Sequence, residues 1–275
     1  MKTPTPPLSR AEFREQLSPP LWGMIHLLPL PGASSYDGNP DSALERALRD
    51  AEILAKSGFK ALMVENFGDA PFFGSRVPPI TVAAMTRVVE RLRQEWPELK
   101  LGVNCLRNDA KSALSIACAT GAWGIRVNVH LGAMLTDQGI LKGGAARTLR
   151  LRREFGVSTH VLADLRVKHA ASLAPRPLAE EALELRERGR ADCVLVTGGG
   201  TGFPADPALA EELREVLPDA PILVASGVNP KNAAFWSKRV DGAIVGSALM
   251  HGGRAGAGVD PKSARGFLEA WSSAS

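Results

Sequence analysis

The sequence predicts an α/β chain closed into a (β/α)8 TIM barrel, and this architecture rests on two observations. From residue 21 onward, short apolar runs alternate with longer stretches of helical period, eight times over. Such alternation implies parallel strands joined by right-handed crossovers, and eight units favour a closed barrel over an open doubly wound sheet. The second observation is that "GIRVNVH" at 124–130 and "HVLADLRVKHA" at 160–170 place polar residues at every second position, which on a strand is one face. In a barrel the outer strand faces lie beneath helices and are apolar, whereas inward residues near the C-terminal mouth can be polar. Ile125, Val127 and Val129 are therefore expected to face the helices, and Arg126, Asn128 and His130 the interior.

Strands are expected at 22–28, 60–66, 101–106, 124–130, 159–166, 192–197, 221–226 and 242–246. The helices that follow them are expected at 40–57, 80–96, 109–120, 143–155, 177–189, 206–217, 230–238 and 260–272. Punctuation supports these limits: Asp41, Asn108, Asp206 and Asn229 can cap helix starts, Pro207 and Pro230 suit first turns, and Gly58, Gly121 and Gly189 follow last turns. Before the barrel, Pro6, Pro7, Pro19 and Pro20 frame a short helix at 9–17, so residues 1–20 read as a partly ordered arm and 21–275 as a single barrel domain.

Composition narrows the function classes. Over 275 residues the 33 basic and 29 acidic side chains are interspersed, and no basic run with interleaved aromatics suggests a nucleic-acid partner. The opening "MKTPTPPLSRAEFREQLSPP" lacks the apolar run of a signal peptide or membrane span, which makes the cytosol the default; peripheral membrane association stays open. Cys105, Cys118 and Cys193 stand singly, as structural thiols of a reducing compartment do. Barrels of this kind often pair, so a homo-oligomer is an open expectation, with no exposed stripe to select the interface.

Catalytic groups in such barrels come from strand ends and the loops after them. These places hold His26; Glu65 and Asn66, with Asp69; Asn104, Arg107, Asn108 and Asp109; Arg126, Asn128 and His130, with Thr136 and Asp137; and Asp164, Arg166, Lys168 and His169. So many buried ionisable groups need partners, a ligand or a hydrated cavity, since an unpaired buried charge costs several kcal/mol. The last three units differ, running into "VTGGGTG", "ASGVNP" and "IVGSALM". Glycine lets backbone N–H groups approach an anion, and the loops after the last two strands are the usual phosphate corner of this fold. Ser226, Gly227, Gly246 and Ser247 are thus the phosphate candidates, with Thr197, Gly198 and Gly199 walling the site. "TGGGTG" lacks the spacing and context of a dinucleotide fingerprint.

The stretches "GMIHLLPLPG", "ENFGDAPF", "NCLRND", "IRVNVHLGAMLTDQG", "ADLRVKHA", "VTGGGTG" and "SGVNPKN" resemble the BtpA/SgcQ family, over roughly residues 21 to 270. The resemblance implies the ribulose-phosphate-binding type of barrel. The family is named partly for a cyanobacterial factor needed to build photosystem I, while other members look like sugar-metabolism enzymes. The chain departs from the family pattern at Arg166, where a histidine is expected, and at Met250, where a lysine is expected. A metal site or second phosphate contact that depends on those positions is not carried over.

Three functions are weighed. The first is an enzyme acting on a phosphorylated sugar or nucleotide-like compound by isomerase, lyase or glycosidic C–N hydrolase chemistry. Glu65 and Asp164 would be its acid/base pair, and Asn104, Arg126, Asn128 and Lys168 would orient hydroxyls or stabilise negative charge. Lys168 could instead form a Schiff base if Arg166 or burial lowered its pKa. His26, Asn66, Arg107, His130, Asp137 and Arg166 complete the expected substrate-binding set. The second is a non-catalytic assembly factor that kept the barrel. The third is a hydrolase holding a divalent metal on Glu65, His130, Asp164 and His169. No local ligand pair such as H-E-x-x-H supports it, so no cofactor is expected.

Overall fold

The structure is a computed structural model, described here for residues 6–198 and 207–273. Eight parallel strands close in the order β1 (Leu21–His26), β2 (Ala61–Glu65), β3 (Lys100–Asn104), β4 (Gly124–Val127), β7 (His160–Asp164), β9 (Cys193–Val196), β10 (Ile222–Val224) and β11 (Gly242–Val245). Around them run α2 (Ser42–Ser57), α3 (Pro79–Glu95), α4 (Ala110–Thr120), α5 (Ala145–Glu154), α6 (Leu178–Glu187), α7 (Pro207–Val216), α8 (Ala233–Ser237) and α9 (Pro261–Ser272). The expected barrel is thus present. Gly58 and Gly121 end α2 and α4 with left-handed φ of 106° and 67°, conformations that a Cβ would oppose. The cap of α4 is Asp109, which accepts from the Ser112 N–H. Asn108 is spent instead on both backbone polar groups of Val129.

The period-two pattern divides the core in two. Ile25, Val64, Val103, Ile125, Val161 and Val194 pack outward under the helices, while Trp22, Met24, Met63, Leu162, Leu195 and Ile244 fill the barrel. Space for the bulky inward residues comes from Gly102, where a Cβ would lie 2.6 Å from Met63 Cε. The apolar filling occupies the lower and middle layers. Polar side chains take over at the strand ends.

Two features differ from the sequence reading. The short helix expected at 9–17 is present as α1 (Arg10–Gln16), opened by a capping box between Ser9 and Glu12, but it is docked on the barrel rather than held in a loose arm. Leu8, Phe13 and Leu17 are buried in the cluster inside the barrel, so α1 stoppers the base. It is pinned by carboxylates that precede the strands: Leu8 N–H donates to Asp192, and Arg10 and Arg14 pair with Asp241. The second difference lies above the mouth. The loops after β4 and β7, for which the sequence reading named no element, form a three-stranded antiparallel sheet of β5 (Ala133–Thr136), β6 (Gly139–Lys142) and β8 (Ala170–Ser172). Leu135 and Ile140 are cross-strand neighbours on it and are about half exposed. Among the described residues, no helix is long and apolar enough to cross a membrane.

Candidate functional site

At the C-terminal ends of β3, β4 and β7, the inward positions form one buried network. Arg126 grips Asp164 with two parallel bonds, Nε to Oδ1 and Nη2 to Oδ2, both 3.1 Å. Asn128 Nδ2 donates to Asp164 Oδ2 at 2.8 Å, and Asn104 Nδ2 donates to Asn128 Oδ1 at 3.1 Å and to the Arg126 carbonyl at 3.2 Å. Burial works against the Arg126 charge, but Asp164 and Glu65 hold it, and the guanidinium stays above its ordinary range. Asp164 has both oxygens engaged, which makes it a counter-ion. The proton-carrier role expected of it has no free oxygen to work with.

On β1 and β2, which continue the barrel from β3, His26 and Glu65 are register partners. His26 Nε2 stands 3.6 Å from Glu65 Oε1, and the ring stacks on Phe67 at 4.2 Å between centroids. The Gly256 N–H donates to His26 Nδ1 at 3.1 Å. That bond fixes Nδ1 as the acceptor and leaves the proton of the neutral ring on Nε2, towards Glu65. Burial lowers the imidazole pKa from an ordinary 6.5 to about 4, outweighing the pull of Glu65, so the ring is neutral at pH 7.

One cavity joins these groups to the glycine corner. It is lined by His26, Glu65, Arg126 and Lys168 together with Ser226, Gly227, Gly246 and Ser247, and by the apolar Met24, Ala225 and Ile244; a Cβ at Gly246 would lie 3.5 Å from the His26 ring. All four residues expected to hold phosphate therefore meet in one place. Gly227 has φ of 70°, and its carbonyl accepts from Asn232 Nδ2 at 3.0 Å, so it is held in a turn that favours glycine. Lys168 reaches the cavity from the loop after β7. Its pKa is lowered, first by burial and then by Arg126, against the opposing pull of Glu65 and Asp164.

Other expected site residues are placed elsewhere. His130 is the main correction: β4 ends at Val127, the inward alternation lapses, and His130 Nε2 bonds the Gly189 carbonyl at 2.8 Å beside α6. Arg166 also lies past its strand; it turns out to Glu181 at 2.9 Å and to the Arg176 carbonyl. Asn66 is a strut, accepting from Leu106 N–H at 2.7 Å and donating to Asp69. Asp137 sits exposed at the β5–β6 turn, bonded to Gln138. Arg107 is not on the cavity wall but donates to the Lys168 carbonyl. Asn104, Asn128 and Asp164 stand behind Arg126 and support it. Thr197 donates to the Arg166 carbonyl, Gly198 is buried outside the cavity lining, and Gly199 lies outside the described residues. Glu65, His130, Asp164 and His169 do not converge: among the described residues, no three His, Cys, Asp or Glu side chains are placed to hold a metal.

The sequence reading missed Phe67 and Gly256, which fix the ring of His26. Only the small-residue run "GGRAGAG" after β11 hinted at a backbone that comes close to something.

A model of the BtpA family matches residues 17–273. The chain belongs to the BtpA family. Among its BtpA-like relatives, the photosystem I biogenesis protein BtpA of Synechocystis sp. is 41% identical over 251 residues, covering 91% of this chain and 87% of that one. An uncharacterised protein of Thermococcus kodakarensis is 44% identical over 253 residues, covering 91% and 94%. Solved structures share the BtpA barrel at lower identity. Phosphoribosylanthranilate isomerase of Pyrococcus furiosus superposes with a TM-score of 0.57 at 18% identity, covering 92% of this chain and 98% of its own. Thiamine phosphate pyrophosphorylase of the same organism gives 0.56 at 17%, covering 95% and 98%. The fold is therefore a closed (β/α)8 TIM barrel, as expected.

Proposed function

We propose that this chain is an enzyme acting on a small phosphorylated sugar or nucleotide-like compound, by isomerase, lyase or C–N hydrolase chemistry. The observation that supports this reading is one cavity lined by two unlike sets of groups. One set is glycine and serine backbone at the ends of β10 and β11, suited to a phosphate. The other is Glu65, a neutral His26, Arg126 and Lys168, suited to proton transfer and to a developing negative charge. In this reading Glu65 is the acid/base, His26 Nε2–H steadies it, and Arg126 binds an oxygen of the substrate. The named similar structures add support, since one is a phosphoribosylanthranilate isomerase and another a thiamine phosphate pyrophosphorylase.

The test is thermal stabilisation by a panel of sugar phosphates, nucleotides and their unphosphorylated counterparts. Phosphorylated compounds should raise the melting temperature, and Gly246→Asp, which sets a carboxylate in the corner, should abolish the shift. The name of the Synechocystis relative, a photosystem I biogenesis protein, favours a second reading, an assembly factor that kept the barrel and lost the reaction. Under it no small molecule stabilises the chain, and it is retained on a protein or membrane partner.

A further inference from the structure

Lys168 is the least explained group in the cavity. Among the described residues no carboxylate pairs with its ammonium, although Glu65 lines the same cavity. The amine enters a space shared by Glu65, Arg126 and His26 and by the glycine corner, so one ligand could meet all of them. Its backbone is held firmly. Arg107 donates to the Lys168 carbonyl, Thr197 donates to the Arg166 carbonyl, and Val167 is buried with Val129 and Leu141 under the β5–β6–β8 sheet. His169, directly after it, holds a left-handed φ of 56°, which a non-glycine residue keeps only when its surroundings enforce it. These four features fix the backbone that carries the side chain.

We propose that Lys168 is a covalent nucleophile that forms an imine with the carbonyl carbon of a phosphorylated aldehyde or ketone. This deepens the phosphosugar reading and rests on it. Burial and the two neighbouring guanidiniums, Arg126 and Arg107, disfavour the ammonium form and raise the share of free amine. Of the two expected sources of that effect, burial acts, whereas Arg166 points away to Glu181.

In the first step the amine nitrogen bonds to the carbonyl carbon, the π pair moves to oxygen, and Glu65 carries one amine proton to that oxygen. In the second, the C–O bond breaks, the nitrogen lone pair forms C=N, and the remaining amine proton leaves with the hydroxyl. The amine and the carbonyl thus become an imine and one water, with nothing oxidised or reduced. Once protonated, the imine draws electrons from an adjacent C–H or C–C bond, which is what an isomerase or lyase needs.

The experiment uses the full chain with dihydroxyacetone phosphate and ribose 5-phosphate as probes, with and without sodium borohydride, followed by peptide mass spectrometry. Hydride reduction should trap probe on the peptide carrying Lys168 at least about tenfold above any other lysine, and excess inorganic phosphate should suppress it. Lys168→Arg, which keeps the charge, should abolish the trapping while melting like the parent. Melting shifts with the same probes are measured in parallel. Stabilisation by the probes without selective trapping overturns the imine and leaves the phosphate site standing. Absence of both stabilisation and trapping overturns the imine together with the phosphosugar reading.

Discussion

Replacing Asp164 with alanine should cost about 3 to 5 kcal/mol of stability, because it leaves Arg126 charged, buried and without its carboxylate. The structure supplies the terms. Both contacts of the pair are 3.1 Å, and the two side chains are 3% and 0% exposed. At an effective dielectric near 20 the gross attraction at such a distance is about 5 kcal/mol, and Asn128 Nδ2 would lose its acceptor as well. Loss of a few kcal/mol in a chain of this size corresponds to a fall of roughly 6 to 20 °C in melting temperature. Urea unfolding of the parent and of Asp164→Ala, fitted to two states, measures it. The double variant Arg126→Met with Asp164→Leu should recover most of the loss, since apolar replacement of a buried pair is often neutral. A single variant within about 1 kcal/mol of the parent would refute the argument that Asp164 is committed to Arg126.

Two further predictions rest on burial. His26 titrates near 4 in the folded chain against 6.5 when exposed, so the unfolded state takes up the proton first and stability falls as pH drops through that window. Between pH 7 and 4.5 the parent should lose about 2 kcal/mol more than His26→Gln in urea unfolding, and equal losses would sink the assignment. Phe13→Ala, which hollows the stopper at the base, should cost about 3 to 5 kcal/mol by the same assay, and a near-neutral result would show that α1 does not seal the barrel.

The barrel was legible because each outer strand face must lie under a helix, and that demand writes unbroken apolar periods into the sequence. The polar mouth was legible for the same reason as long as a residue still belonged to a strand: His26, Glu65, Asn104, Arg126 and Asp164 all occupy inward strand positions. His130 and Arg166 lie two or three residues beyond the last strand residue, where alternation no longer dictates direction, and both turned outward. The stopper was not legible because α1 is a short helix whose partners, Asp192 and Asp241, are far along the chain. Nor was the β5–β6–β8 sheet, whose pairing joins loops about thirty residues apart, although Gly139 in "TDQG" marks its turn with φ of 88°. Pairing between distant segments leaves little local trace.

The latch at the base also sets an order of events during synthesis. Leu8, Arg10 and Phe13 leave the ribosome early, but the groups that receive them, Asp192, Asp241 and the inner residues of β9 to β11, leave it late. For most of translation the apolar side of α1 has nowhere to dock. This helix, made before every barrel strand, is among the last elements to find its seat, and a chain arrested before β11 would display Phe13 and Leu17 to whatever binds exposed apolar surface.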